Sequence, residues 1–310
     1  MGKITVEEKV YGSWGKCVRI SNGEIELFVT VEIGPRIIRF GRVDGPNIMY
    51  EDVERSFFKD EETMKLFGEN ERWYIYGGHR FWQAPEALPR TYLPENYPVE
   101  YEIWENGVTL KPRPMTAVGT QNEMDISMKE NGEVTVEHRV TNIGPWEKEL
   151  APWALSVIAH GGKAVIPLST KDTGLVSNRN LILWPYTRIN DERVCWHDRY
   201  VSVTPNSNEG KSAFKIGVNC EDGYMLYFVN NDMFVKYFNY DKDAVYPDNG
   251  CNCELFTNAD FIECESLGEL ELLLPGETAT HVEKWNLIKD VKMPETAEEI
   301  DAVVEKYINK

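Results

Sequence analysis

The sequence predicts an all-β protein with one C-terminal amphipathic helix, and three observations support this. Apolar and polar residues alternate along much of its 310 residues, the pattern of strands with one buried face. Turn residues, Asn-Gly above all, punctuate the chain from end to end. Sustained helical periodicity is confined to the C-terminus. With no fixed-period repeat, low-complexity tract or linker, residues 1–310 read as a single domain.

In "SNGEIELFVTVEI", Ile25, Leu27, Val29, Val31 and Ile33 alternate with Glu26, Phe28, Thr30 and Glu32. Asn22-Gly23 precedes this run, so residues 16–33 form a hairpin. The same grammar predicts hairpins around Asn106-Gly107 and around Asn131-Gly132. "FFKDEETMKLF" is a short helix or a loop. "GYMLYFVNN", from Gly223, is apolar enough for a strand covered on both faces. At the end, Thr296 and Glu299 make a capping box. Ile300, Val303, Val304, Tyr307 and Ile308 then mark the stripe of a helix spanning about 296–309 that packs on the domain surface.

A formal charge of −18 argues against nucleic acid and anionic membranes as partners, since both require basic patches. Aromatic residues make up 12 % of the chain, which suits a β-core or a sugar site. The six cysteines include no Cys-x-x-Cys pair and have no histidine at ligand spacing. Neither a metal nor a cofactor is therefore expected, and the thiols read as reduced in a cytoplasmic protein. "MGKITVEEKV" has no apolar run, so no signal peptide is expected, and no stretch is long and apolar enough to span a membrane. Nucleophile-elbow, P-loop and dinucleotide-fold patterns are lacking.

Two stretches concentrate chemistry. In "YIYGGHRFWQAPE", residues 74–86, Gly77-Gly78 allows a turn or close backbone approach. His79 is a candidate proton donor, Arg80 and Glu86 could bind hydroxyls, and Trp82 could face a sugar ring. Each residue alone has a structural explanation, and a lone histidine is more often a satisfied core residue. In "YPDNGCNCELFTNADFIECESLG", residues 246–268, Phe261, Glu263 and Glu265 share one strand face. If that face is buried, one carboxylate gains the raised pKa of a general base; if it is exposed, the pair is a polar strand surface. Tyr246, Asp248 and Glu254 join the candidate binding set. A calcium site from Asp248, Asn249 and Asn252 is the lesser reading, because turns use the same residues.

The order of "EIGPRIIRFG", "YGGHRFWQAPE", "TNIGPWEKELAPWALSVI" and "DFIECESLGELELLLPGETATHVEKWNLI" resembles the galactose mutarotase-like, or aldose 1-epimerase-like, superfamily, specifically an uncharacterised branch of it. The resemblance covers the chain to about residue 290. It implies a large antiparallel β-supersandwich whose concave face binds a sugar. It also implies a late-strand glutamate that removes the anomeric hydroxyl proton, which maps onto Glu263, with Glu265 one strand repeat further on. A histidine would protonate the ring oxygen. Arg36 and Arg80 would hold hydroxyls.

The chain departs from that pattern at the middle strand. Trp153 stands near the position of the family's catalytic histidine, and His160 follows seven residues later. An indole cannot protonate a ring oxygen, so the role passes to His79 or an arginine. The expectation is an aldose 1-epimerase-like isomerase acting on a small-molecule sugar, with Glu263, Glu265 and His79 catalytic. Arg36, Arg80, Trp82, Glu86, Trp153, Tyr246, Asp248 and Glu254 would bind substrate. The alternatives are a non-catalytic carbohydrate-binding sandwich, or a glycoside hydrolase or lyase using Glu263 with Glu265. A homodimer is compatible with all three.

Overall fold

The computed structural model describes residues 2–59, 61–88, 90–206 and 213–309. Two large antiparallel sheets, of 11 and 10 strands, carry the fold, beside a two-stranded ribbon. The middle of the first sheet runs Ile37–Arg42, Gly78–Ala84, Lys148–Ala159, Phe261–Leu267, Cys253–Thr257 and Phe214–Val218 in spatial order. The middle of the second runs Tyr224–Val229, Asp232–Phe238, Thr278–Ile288, Val134–Asn142 and Thr120–Met128. Among the described residues, no helix is long and apolar enough to cross a membrane.

The predicted hairpins form. Lys16–Ser21 pairs with Ile25–Thr30, Glu100–Trp104 with Gly107–Lys111, and Thr120–Met128 with Val134–Asn142. In this last pair, alternate residues are buried along both strands, as period-two patterning requires. The 25–33 run departs from expectation twice. Its strand stops at Thr30, where the chain bends through residues 31–34. All six strand residues are also buried, so it has no solvent face. Its polar side is covered because Arg19 and Arg39 pair with Glu26 at 2.8 and 2.9 Å, and Phe28 stacks on Tyr11.

Val29, Ile126, Val136 and Ile262 belong to the large apolar core that the two sheets enclose. Tyr224–Val229 is buried on both faces, as its apolar run predicted. Met225 and Tyr227 enter that core, while Leu226 and Phe228 meet the C-terminal helix. That helix, Ala297–Tyr307, is capped by Thr296, whose side chain accepts from Glu299 N, and it buries Ile300 and Val304. The stretch "FFKDEETMKLF" yields the short helix Glu61–Phe67.

Gly77 and Gly78 sit at φ +96° and +66°. A Cβ on Gly77 would lie 2.0 Å from Tyr50 O, and one on Gly78 would lie 2.4 Å from Ile37 O. The pair therefore packs the start of the Gly78–Ala84 strand against its neighbours. The outward face of the first sheet carries a separate aromatic-rich cluster that includes Trp73, Trp82, Trp153, Leu155 and Phe261. Here the site is built.

Candidate active site

Strand alternation selects which residues reach this outward face. From Gly78–Ala84 come Arg80 and Trp82, from Lys148–Ala159 Trp153, from Phe261–Leu267 Phe261 and Glu263, and from Phe214–Val218 Lys215. Trp73, Tyr92, Trp184 and Tyr186 close the sides of a cleft of about 290 Å³. Pairing register aligns its floor. Glu263 lies opposite Phe256, and Phe256 opposite Lys215, so the three stand in one row across neighbouring strands.

Charge in the cleft is organised in two groups. Arg80 Nη2 donates to Glu263 Oε1 at 2.8 Å, and its guanidinium lies 4.0 Å from the Trp82 ring centroid. Lys215 Nζ meets Glu254 at 2.7 Å and Glu265 at 3.0 Å, and lies 4.7 Å from the ring centroids of both Trp153 and Trp184. Trp153 Nε1 also donates to Glu265, at 2.8 Å. Burial raises the pKa of Glu263 and the nearby Glu265 adds to the rise, against the opposing pull of Arg80 and Lys215. Burial likewise pushes Glu254 well above the usual carboxylate range. Burial pulls Lys215 down, but its two carboxylates outweigh this and hold the ammonium well above its ordinary value. Among the described residues, Arg80 Nε, Arg80 Nη1, Trp73 Nε1 and Glu265 Oε1 are buried without hydrogen-bond partners. Three unmet donors on two residues that line the cleft, Arg80 and Trp73, call for a ligand rich in acceptors.

Several expected site residues lie elsewhere. His79 alternates with Arg80 and points into the space between the sheets, fully buried. Arg36 is also fully buried, held by Pro35 O and the Glu95 carboxylate. Tyr246 stacks on Tyr240, its hydroxyl accepts from Asp241 N, and it takes no part in the cleft wall. Asp248 sits half-buried on the turn behind Glu254, also outside the wall. Glu254 and Glu265 lie beneath the wall, committed to Lys215. Glu86, by contrast, does line the cleft, as an exposed residue at its rim that accepts from the Tyr92 hydroxyl. Asn252, a candidate calcium ligand, is spent bridging Cys220 N and O. Sequence reading missed Lys215, although in "AFKIGV" it is a lone charge on an apolar strand. It also missed Trp73, from the two-stranded ribbon, and Trp184 and Tyr186, from loops, none of which carries a periodic signal.

Behind the cleft, His79 belongs to a chain of hydrogen bonds whose direction is set by its ends. Lys236 Nζ donates to Ser156 Oγ at 3.2 Å, and Ser156 Oγ lies 2.9 Å from His79 Nδ1. His79 Nε2 lies 2.8 Å from His138 Nε2, and His138 Nδ1 lies 3.0 Å from His281 O. Lysine only donates and a carbonyl only accepts, so every proton along this chain points from Lys236 towards His281. Lys236 also pairs with Glu283 at 2.7 Å and donates to Cys264 O at 2.9 Å. His79, His138 and Glu283 come within 4.8 Å of one another, as metal ligands would. However, the facing Nε2 atoms of the two histidines are already matched to each other, and a lysine ammonium occupies the same carboxylate.

Burial, reinforced by Lys236, holds His79 well below its ordinary pKa and brings His138 to about 3; burial also takes His281 to about 3. Their unfolded value is about 6.5. Neutral histidine therefore contributes stability that is present above about pH 6.5 and lost as the pH falls, since the unfolded chain then takes up protons the folded one refuses. The expected loss approaches 1.4 kcal/mol per pH unit for each histidine. Urea midpoints at pH 7.5 and 5.5 check this; equal midpoints would contradict it.

By sequence, no family model and no curated protein matches this chain. Its fold does match solved structures. A candidate aldose 1-epimerase from Klebsiella pneumoniae aligns with a TM-score of 0.60 at 14 % identity, over 98 % of this chain and 87 % of that one. A galactose mutarotase-like protein from Clostridium acetobutylicum gives 0.51 at 11 %, over 93 % and 99 %. A TPR-domain containing protein from Parabacteroides distasonis gives 0.60 at 12 %, over 91 % of this chain; the chain spans 49 % of that protein's length. The architecture is the galactose mutarotase-like β-sandwich, as the sequence resemblance implied.

Proposed function

We propose that the protein is carbohydrate-active and works as an aldose 1-epimerase-like isomerase at a sugar anomeric centre. The observation that carries this reading is Glu263, a buried carboxylate with a raised pKa, facing a cleft walled by indoles. Flat indole faces suit the apolar faces of a pyranose, and the unmet N–H groups of Arg80 and Trp73 suit its oxygens. A carboxylate whose pKa is moved towards neutrality is matched to taking a hydroxyl proton. The names given to the Klebsiella and Clostridium neighbours agree in kind.

A second reading, sugar binding without catalysis, is favoured by one observation: among the described residues no histidine lines the cleft. The hydrolase reading is weakened because Glu265 is committed to Lys215 and Trp153, leaving Glu263 as the carboxylate available on the floor. The test is NMR of freshly dissolved α-glucose and α-galactose, following anomer interconversion with and without the protein. Acceleration supports the isomerase; saturation transfer to a bound sugar without acceleration supports the binding protein.

A further inference from the structure

We propose that Lys215 is the proton donor to the sugar's ring oxygen, opposite Glu263 across the cleft. This rests on the isomerase reading above and supplies the acid that reading lacks. Opening a pyranose requires two transfers. Glu263 takes the proton of the C1 hydroxyl, and the C1–O1 bond becomes a carbonyl. The bond from C1 to the ring oxygen then breaks, its electron pair stays on that oxygen, and the oxygen receives a proton from Lys215. After rotation about the C1–C2 bond, closure onto the other face of the carbonyl returns both protons to their owners.

The geometry selects Lys215. It lines the cleft in the same row as Glu263, two strands away with Phe256 between them, which sets the two backbones roughly 10 Å apart. Two long side chains reaching inward from that separation bracket one ring. The Lys215 ammonium donates to Glu265 Oε2 at 3.0 Å and pairs with the Glu254 carboxylate at 2.7 Å, while Nζ lies 4.7 Å from the Trp153 and Trp184 rings that wall the cleft.

The other donors fit less well. Arg80 does not give up a proton, so its free N–H groups bind hydroxyl oxygens without acting as an acid. The Tyr92 hydroxyl is spent on Glu86, and Tyr186 comes from a turn outside the strand row that aligns Lys215 with Glu263. Lys59 lies on the rim, 3.6 Å from the Tyr92 ring centroid.

The experiment compares wild type, Lys215→Arg and Glu263→Gln in the anomer assay, with kcat and KM separated. Arginine keeps the charge and both ion pairs but does not release a proton. The expected result is a kcat lower by about 100-fold with KM within about threefold. A Lys215→Arg protein as fast as wild type, alongside an inactive Glu263→Gln, would overturn the assignment of Lys215 and leave the isomerase standing. No acceleration by wild type would overturn both. If Lys215→Arg does not fold, Lys215→Met with Glu254→Gln removes the donor and one facing carboxylate together, and the same loss is expected.

Discussion

Glu263→Gln is expected to bring the interconversion of α-glucose and α-galactose down by about 10²- to 10⁴-fold, the usual contribution of a positioned acid or base. Glutamine is nearly isosteric, and its amide oxygen still accepts from Arg80, which donates to Glu263 Oε1 at 2.8 Å. The cleft walls are untouched, because Trp82, Trp153 and Phe256 pack independently of the substituted oxygen. Sugar binding, read by saturation transfer, should therefore survive while turnover is lost. That split marks an interaction used in the transition state more than in the bound state. A Glu263→Gln protein that turns over normally would remove the base from the mechanism.

The second large effect is on stability. Lys236 and Glu283 are both fully buried between the sheets and 2.7 Å apart. Replacing Lys236 with Met strands the Glu283 carboxylate in the core, facing the N–H of Trp285, the hydroxyl of Ser266 and, at 3.8 Å, His79 Nε2, with no cation beside it. Breaking a buried pair from one side costs about 3–5 kcal/mol. The same change removes the donor that starts the Ser156–His79–His138 chain and the clamp on Cys264 O, so the strand bearing Glu263 loses its support from behind. Urea unfolding should show this loss, with much of it recovered in Lys236→Met/Glu283→Gln, where no lone charge remains. A single substitution costing under about 1 kcal/mol would mean that the pair is not buried as described.

The sheets were legible in the sequence because alternation and Asn-Gly turns are local signals, and so was the capped C-terminal helix. Glu263 was legible by the same logic: Phe261, Glu263 and Glu265 share a face, and the face proved buried. His79 was misjudged because a histidine beside an arginine in a strand necessarily faces the other way. The sequence showed both residues but not which side held the cleft. Arg36, just ahead of the Ile37–Arg42 strand, is instead tied to Pro35 O and the Glu95 carboxylate. Lys215 went unseen because what joins it to Glu263 is strand register across the sheet, and Trp73 and Trp184 because a two-stranded ribbon and a loop bring them over from outside that sheet; one sequence displays neither. The buried histidines show the same limit, since His79, His138 and His281 come from three separate strands.

Whether a sugar sits in this aromatic cleft is tested most directly by saturation-transfer NMR of neutral hexoses on wild type and on Trp82→Ala. Transfer to the sugar ring protons is expected with wild type, and its loss when the indole against Arg80 is removed, with the fold retained by circular dichroism. Equal transfer to both proteins would place the sugar elsewhere.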